Sequence, residues 1–458
     1  MSLLIKNGRI ITAAKDYIAD VFIDKEKITL IDTALNSTAD RIIDAKNKYV
    51  IPGGVDVHTH LDMPLGEITS SDDFETGTRA AAFGGTTTII DYATQTRETS
   101  MRAALDSWFK KAEGKAVIDY GFHIIITHLQ SENSDEIGEM IKEGVTSFKL
   151  FMAYPNSLMV DDEIILKVMR RSAEFGGLVC IHAEDGLAIE KIVKKTLTEG
   201  KTIPIYHALT RPTTAERDAV VRAIELSQRA NTPVYIVHVS SNDALEQIAI
   251  ARGSGIKVFA ETCPQYLFLS LDDMNVPGFD GAKFVLTPPL REKWNQEKLW
   301  DGLRKDTLQI VSTDHCPFNY KHQKEIGLND FTKIPNGGPG IENRIHLIYQ
   351  GGVNEGRISL NRWVKITSTA PAKMFGLFPR KGTIAVGSDA DIIIWDPEKE
   401  HVISAKTHHM NVDYSLYEGM MIKGDADIVI SRGDVIVEDG KFYGKPGRGN
   451  YLKRGTYV

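Results

Sequence analysis

The sequence predicts an α/β protein: a TIM-type (β/α)8 barrel carrying a smaller β-sandwich domain made from the two chain ends. Three observations predict it. Short apolar, β-branched runs alternate with longer amphipathic segments through the middle of the chain, as in successive βα units. Both ends instead carry short strand-like runs broken by polar turns. And 458 residues exceed what one core usually organises, which favours one large domain plus a small one.

At the N-terminus, LLIKNGRIIT, ADVFIDKEKITLID and DRIIDAKNKYVI read as strands, with turns at Asn7-Gly8 and Asp24-Lys25. Eight runs follow, at 51–58, 86–92, 119–128, 146–151, 178–182, 234–238, 257–261 and 308–313. Helical patterns lie between most of them. Thr213-Thr214-Ala215-Glu216 has capping-box spacing, and Asp243 with Glu246 repeats it. No glycine-rich phosphate loop follows the first run, so a barrel is favoured over a doubly wound sheet. After the barrel, ADIIIWD and ADIVISRGDVIVEDGKFY return to strands, with turns at Arg432-Gly433-Asp434 and Asp439-Gly440. Residues 1–51 and 383–458 are therefore expected to form one discontinuous β domain around a barrel of residues 52–382.

The bulk properties exclude several classes of function. A formal net charge of −7 argues against a nucleic-acid partner. No apolar run approaches membrane-spanning length. The three cysteines, Cys180, Cys263 and Cys316, cannot all pair and lack metal-type spacing, so reduced thiols are expected. The N-terminal stretch alternates as a strand does and is unlike a signal peptide, so the expected location is cytoplasmic.

Barrel enzymes work where strands end. The first run ends in His58-Thr59-His60, and alternation puts both imidazoles on one face. The fifth and sixth end at His182 and His238, and the eighth runs into Asp314. Four of thirteen histidines plus an aspartate thus gather at one end of the barrel, a donor set suited to zinc. His128 also ends a run and stays open as a candidate by position. Lys149 lies inside an apolar strand, where an ammonium must pair or lose its charge. It is either ion-paired or converted to an anionic carbamate by carbon dioxide.

The segments VDVHTHLDMP, SFKLFMAY, IHAEDG, VHVSS, ETCPQYL, STDHCPF and PNGGPGIENR resemble hydantoinases and dihydropyrimidinases of the amidohydrolase superfamily over essentially the whole chain. The resemblance implies metal-dependent hydrolysis of a dihydropyrimidine or hydantoin ring to an N-carbamoyl amino acid. It implies two divalent ions, zinc first, with manganese, cobalt and iron also suited to N/O ligands. His58 and His60 would hold one ion and His182 and His238 the other. Carboxylated Lys149 would bridge them, and Asp314 would bind the first ion and carry a proton. His128 is not selected. Tyr154 would hydrogen-bond the scissile carbonyl, while Thr287 (commonly serine in the family) and Asn336 would hold the amide edge. Met63, Leu65, Phe151 and Leu158 would form the apolar rim around the ring substituent. Family members are commonly homotetramers, and the basic, aromatic tail at 447–454 is expected to reach a neighbouring subunit. Dihydroorotase, allantoinase and a non-catalytic scaffold are the rival readings. Asp62, where dihydroorotases commonly carry an arginine, favours a neutral ring.

Overall fold

A computed structural model describes residues 2–129 and 135–457. Eight parallel strands form the barrel: β1 (Gly54–Thr59), β2 (Thr86–Thr94), β3 (Asp119–Ile125), β4 (Ser147–Phe151), β5 (Leu178–His182), β6 (Val234–Ile236), β7 (Val258–Thr262) and β8 (Ile310–Val311). They pair in sequence order from β1 to β8. The last seam closes beyond the strand ends. There Thr59 bridges to His315, and Thr313 donates its hydroxyl to Asp56 of β1 at 2.6 Å. Each of the eight predicted runs overlaps a barrel strand. The third is shorter than expected, leaving His128 beyond its end. Among the described residues, no helix is long and apolar enough to cross a membrane.

The chain ends form a separate nine-stranded sheet, joined where Ile392–Val402 pairs antiparallel with Tyr49–Pro52. Strand alternation splits this junction between two cores. Ile392 and Ile394 pack inside the small sheet with Ile10, Val21 and Ile430, whereas Ile393 and Trp395 join the barrel core. The expected turn at Asn7-Gly8 is instead a bulge inside one strand, Ser2–Ile11. Asn7 takes a φ of +62°, and a Cβ on Gly8 would meet Val50 at 2.3 Å. The other three expected turns are hairpin turns with left-handed residues at Lys25, at Arg432-Gly433 and at Asp439-Gly440.

Two helix starts differ from expectation. The helix Thr213–Ala230 has no side-chain cap; the Thr213 hydroxyl goes to Asp243 at 2.6 Å. Glu216 turns inward to Ser240 and Arg291. The helix Asn242–Gly253 is capped by Ser241, with Asp243 already engaged. In both places a partner distant in sequence outcompetes the local cap. The tail lies along its own barrel. Leu452 N–H donates to Tyr120 at 2.7 Å, and the Arg454 guanidinium donates to Phe122 carbonyl and Ser147.

A buried ion cluster binds the two parts of the fold. Lys381, 1 % exposed, meets Asp119 of β3 at 2.6 Å, Asp391 at 2.7 Å and Asp389 at 3.0 Å. Burial opposes the charge, yet the three carboxylates raise the Lys381 ammonium above its usual range. Replacing Lys381 with Met should leave buried Asp391 without an ion-pair partner, while Asp119 keeps Arg432 and Asp389 keeps Lys27 and Arg380. Removing one partner of a buried ion pair costs about 3–5 kcal/mol. Hydrogen exchange across Ile392–Val402 should show the opening free energy falling by that order, and unchanged protection would refute the assignment.

Candidate active site

The strand-end residues converge at one mouth of the barrel. His58 is fully buried on β1. Its Nδ1 lies 2.5 Å from Glu261 Oε1 of β7, which turns its Nε2 toward Lys149 Nζ at 2.8 Å and Asp314 Oδ1 at 3.1 Å. His60 Nε2 lies 3.3 Å from the same aspartate oxygen. On the other side, His182 Nδ1 and His238 Nε2 are 2.9 Å apart. The two pairs adjoin, with the His58 and His238 ring centroids 5.4 Å apart.

Burial sets the charge states. It pushes His60 down to about 4 and His238 well below its ordinary range, so both present neutral imidazoles. It also lowers Lys149, whose amine sits 4.4 Å over the Tyr92 ring. Burial works against ionisation of Asp314, but His58 and His60 hold its carboxyl well below the usual range.

Above these groups opens a cavity of about 710 Å³. His60, Lys149, His182, His238 and Asp314 line its floor, and His58 lies beneath it. Tyr154, Thr287 and Asn336 line the wall, with Asn336 Nδ2 donating to the Tyr154 hydroxyl at 3.3 Å. Burial raises Tyr154, which keeps the phenol protonated. Met63, Leu65, Phe151 and Leu158 complete the apolar side. Every expected site residue is therefore brought together. His128 is not; its ring nitrogen lies 3.4 Å from the adjacent Thr127 hydroxyl. The histidine that β3 sends into the barrel is His123, held by Ser147 and the Val57 carbonyl.

Asp62 also differs from expectation. It lies 3.8 Å from Lys111 and is not among the described residues lining the cavity. No arginine is among them either.

A model of the amidohydrolase family matches residues 49–436. The D-hydantoinase of Geobacillus stearothermophilus is 51% identical over 100% of this chain and 97% of its own length. That of Streptomyces coelicolor is 51% identical over 99% and 98%. The crystal structure of dihydropyrimidinase from Brevibacillus agri superposes with a TM-score of 0.99 at 51% identity, covering 100% of both chains. The chain belongs to the hydantoinase family of amidohydrolases. It is a cyclic amide hydrolase.

The floor of this hydrolase suits metal ions. One donor atom each from His58, His60 and Asp314 lies within 4.8 Å of the others. Nδ1 of His60 and Nδ1 of His238 are buried without a hydrogen-bond partner. In the second pair, two imidazole nitrogens face each other at contact distance. Such a set of imidazole nitrogens and a carboxylate matches zinc-type ligation. Glu261, which the sequence reading passed over, accepts from Tyr235 at 2.9 Å and fixes the His58 tautomer. It closes the seventh predicted run, so the strand-end rule itself carried the signal.

Lys324 was likewise not anticipated. Wholly buried, its ammonium donates to the carbonyls of Val285, Pro335 and Gly337 at 2.9, 2.9 and 2.7 Å. Burial pushes it down to about 7, and its three hydrogens match the three acceptors. Those carbonyls belong to the segments bearing Thr287 and Asn336, so Lys324 is a positioning residue for that wall. Lys324→Met should leave the buried Pro335 and Gly337 carbonyls without this donor, at about 1–3 kcal/mol each, while Val285 keeps the Gly337 amide. KM for the ring should rise severalfold with metal content unchanged. A variant with wild-type KM and wild-type melting temperature would refute this role.

Proposed function

We propose that this hydantoinase opens neutral cyclic ureides, a 5,6-dihydropyrimidine or a hydantoin, to N-carbamoyl amino acids with the help of two divalent ions. The observation that carries this reading is the convergence of six ligating side chains beneath a largely apolar cavity. His58, His60 and Asp314 would hold one ion, and His182 and His238 the other. Lys149 Nζ, kept neutral by burial, attacks carbon dioxide, forming an N–C bond and losing a proton. The resulting carbamate would serve both ions. Zinc is the metal of choice, and manganese, cobalt or iron suit the same donors. When bound, the ions supply Lewis-acid polarisation and a water acidic enough to act near neutral pH.

The chain's own groups do the rest. Asp314, ionised at neutral pH, accepts the proton that the attacking water loses and returns it to the leaving ring nitrogen. The Tyr154 hydroxyl donates to the carbonyl oxygen as it gains negative charge. Thr287 and Asn336 orient the amide edge, and Met63, Leu65, Phe151 and Leu158 receive the ring substituent. The names of the relatives support D-configured 5-substituted hydantoins as substrates. We also infer a cytoplasmic homotetramer, with 52–382 as the catalytic domain and 1–51 with 383–458 as the small domain, apart from the barrel-bound tail.

Elemental analysis should show that replacing the active-site histidines removes close to two divalent ions per chain, and chelation should abolish turnover. Lys149→Ala should lower kcat/KM by more than the roughly hundredfold that loss of an outer-sphere partner costs. A small added carboxylate should restore part of it. Full activity after complete metal removal would sink the reading.

Substrate charge tests the name of the reaction. The cavity wall carries no arginine, and Lys333 at its lining is exposed and lies 3.8 Å from Asp330. The carboxylate of dihydroorotate would therefore enter without a buried partner, which costs several kcal/mol. Each 1.4 kcal/mol or so is a factor of ten in rate, so kcat/KM should favour dihydrouracil and hydantoins by about a hundredfold or more. Equal turnover of dihydroorotate would move the assignment to dihydroorotase.

A further inference from the structure

A second group of ligating side chains lies apart from the active site, where the barrel meets the small sheet. His346 comes from the helix Arg344–Ile348, His401 from the strand Ile392–Val402 and Asp425 from the strand Met421–Ser431. Each offers one donor atom, and the three atoms lie within 4.8 Å of one another. His346 is 4 % exposed, with Nε2 2.8 Å from Asp425 Oδ1. Its ring meets that of His401 edge-on, with centroids 5.3 Å apart. Nδ1 of His401 and Nδ1 of His346 are both buried without a partner.

The two strands that supply His401 and Asp425 are rich in charge. Asp396, Glu398, Glu400, Asp425 and Asp427 come from the same two strands. Against them stand Lys399, paired with Asp425 Oδ2 at 2.9 Å, Lys423, paired with Glu398 at 2.8 Å, and Lys48, paired with Asp427.

We propose that His346, His401 and Asp425 form a separate site for a borderline divalent cation of the zinc class, clipping the barrel to the small sheet. Two imidazole nitrogens and one carboxylate oxygen are the ligand types such ions select. A neutral hydrogen-bonded trio would leave a ring nitrogen of His401 idle in a buried position, whereas an ion can engage it. The role is structural, since these residues lie outside the catalytic cavity.

The test uses zinc-saturated holoenzyme, freed of excess metal by desalting. Wild-type enzyme should retain one zinc per chain more than His401→Gln, at equal kcat. Calorimetric titration of Zn²⁺ into Asp425→Asn should show binding weakened by more than about a hundredfold. Equal zinc content in wild type and His401→Gln would overturn the proposal. Because a variant can fail to fold, wild-type crystals soaked in zinc give an independent reading. An anomalous peak among the three side chains is expected, and a featureless map there would overturn the site.

Discussion

The active site is organised around a lysine that has nowhere to put its charge. Lys149 projects from β4 into a fully buried position, with an imidazole nitrogen 2.8 Å away and aromatic faces around it. An isolated ammonium there is costly, so the amine is driven toward neutrality and hence toward nucleophilic chemistry. The neighbouring groups follow from that. His58 can face the lysine only because Glu261 holds its other nitrogen. Asp314 stays ionised because two histidines surround it. Remove the lysine's constraint and the remaining histidines become ordinary core residues.

That cluster spans β1, β4, β7 and the segment after β8, so it depends on the barrel closing. Closure is achieved by Asp56, which receives both the amide and the hydroxyl of Thr313 at the seam. The next residue is Asp314, so the contact that closes the barrel also delivers the carboxylate to His58 and His60. The small sheet adds stiffness from below. Lys381 ties Asp119, at the start of β3, to Asp389 and Asp391 at the entry to the C-terminal strands.

Much of this was legible in the sequence because it rests on local periodicity. Alternation along a strand places His58 and His60 together, and a strand-end rule finds His182, His238 and Asp314 without any partner being known. What escaped depends on contacts between residues far apart in the chain. Glu261 matters because it meets a residue 203 positions away. Lys324 looks like a surface lysine until three carbonyls from two other segments enclose it. The capping-box reading of Thr213 failed because Asp243, 30 residues on, took its hydroxyl. The sequence also could not show the open edge beside Tyr120 that the tail fills. His128 and His123 differ by five positions, and only the observed end of β3 decides which enters the barrel.

Backbone conformation adds a constraint invisible to pattern reading. Tyr154, His238 and Asp314 all take positive φ, at +64°, +40° and +54°. Non-glycine residues there cost of order 1–3 kcal/mol each and persist only where surroundings fix them. The surroundings are present. Glu261 accepts the amide of Val239 through its carbonyl at 2.8 Å, just after His238. Asp314 is gripped on both sides, by Thr313 on Asp56 and by His315 on Asp72 at 3.0 Å. Tyr154 is followed by a turn that returns two amides, of Ser157 and Met159, to its own carbonyl. All three side chains line the catalytic cavity. The strain is therefore located at the residues whose direction matters most, and the bonds that maintain it belong to the same closure and strand-end contacts that build the barrel.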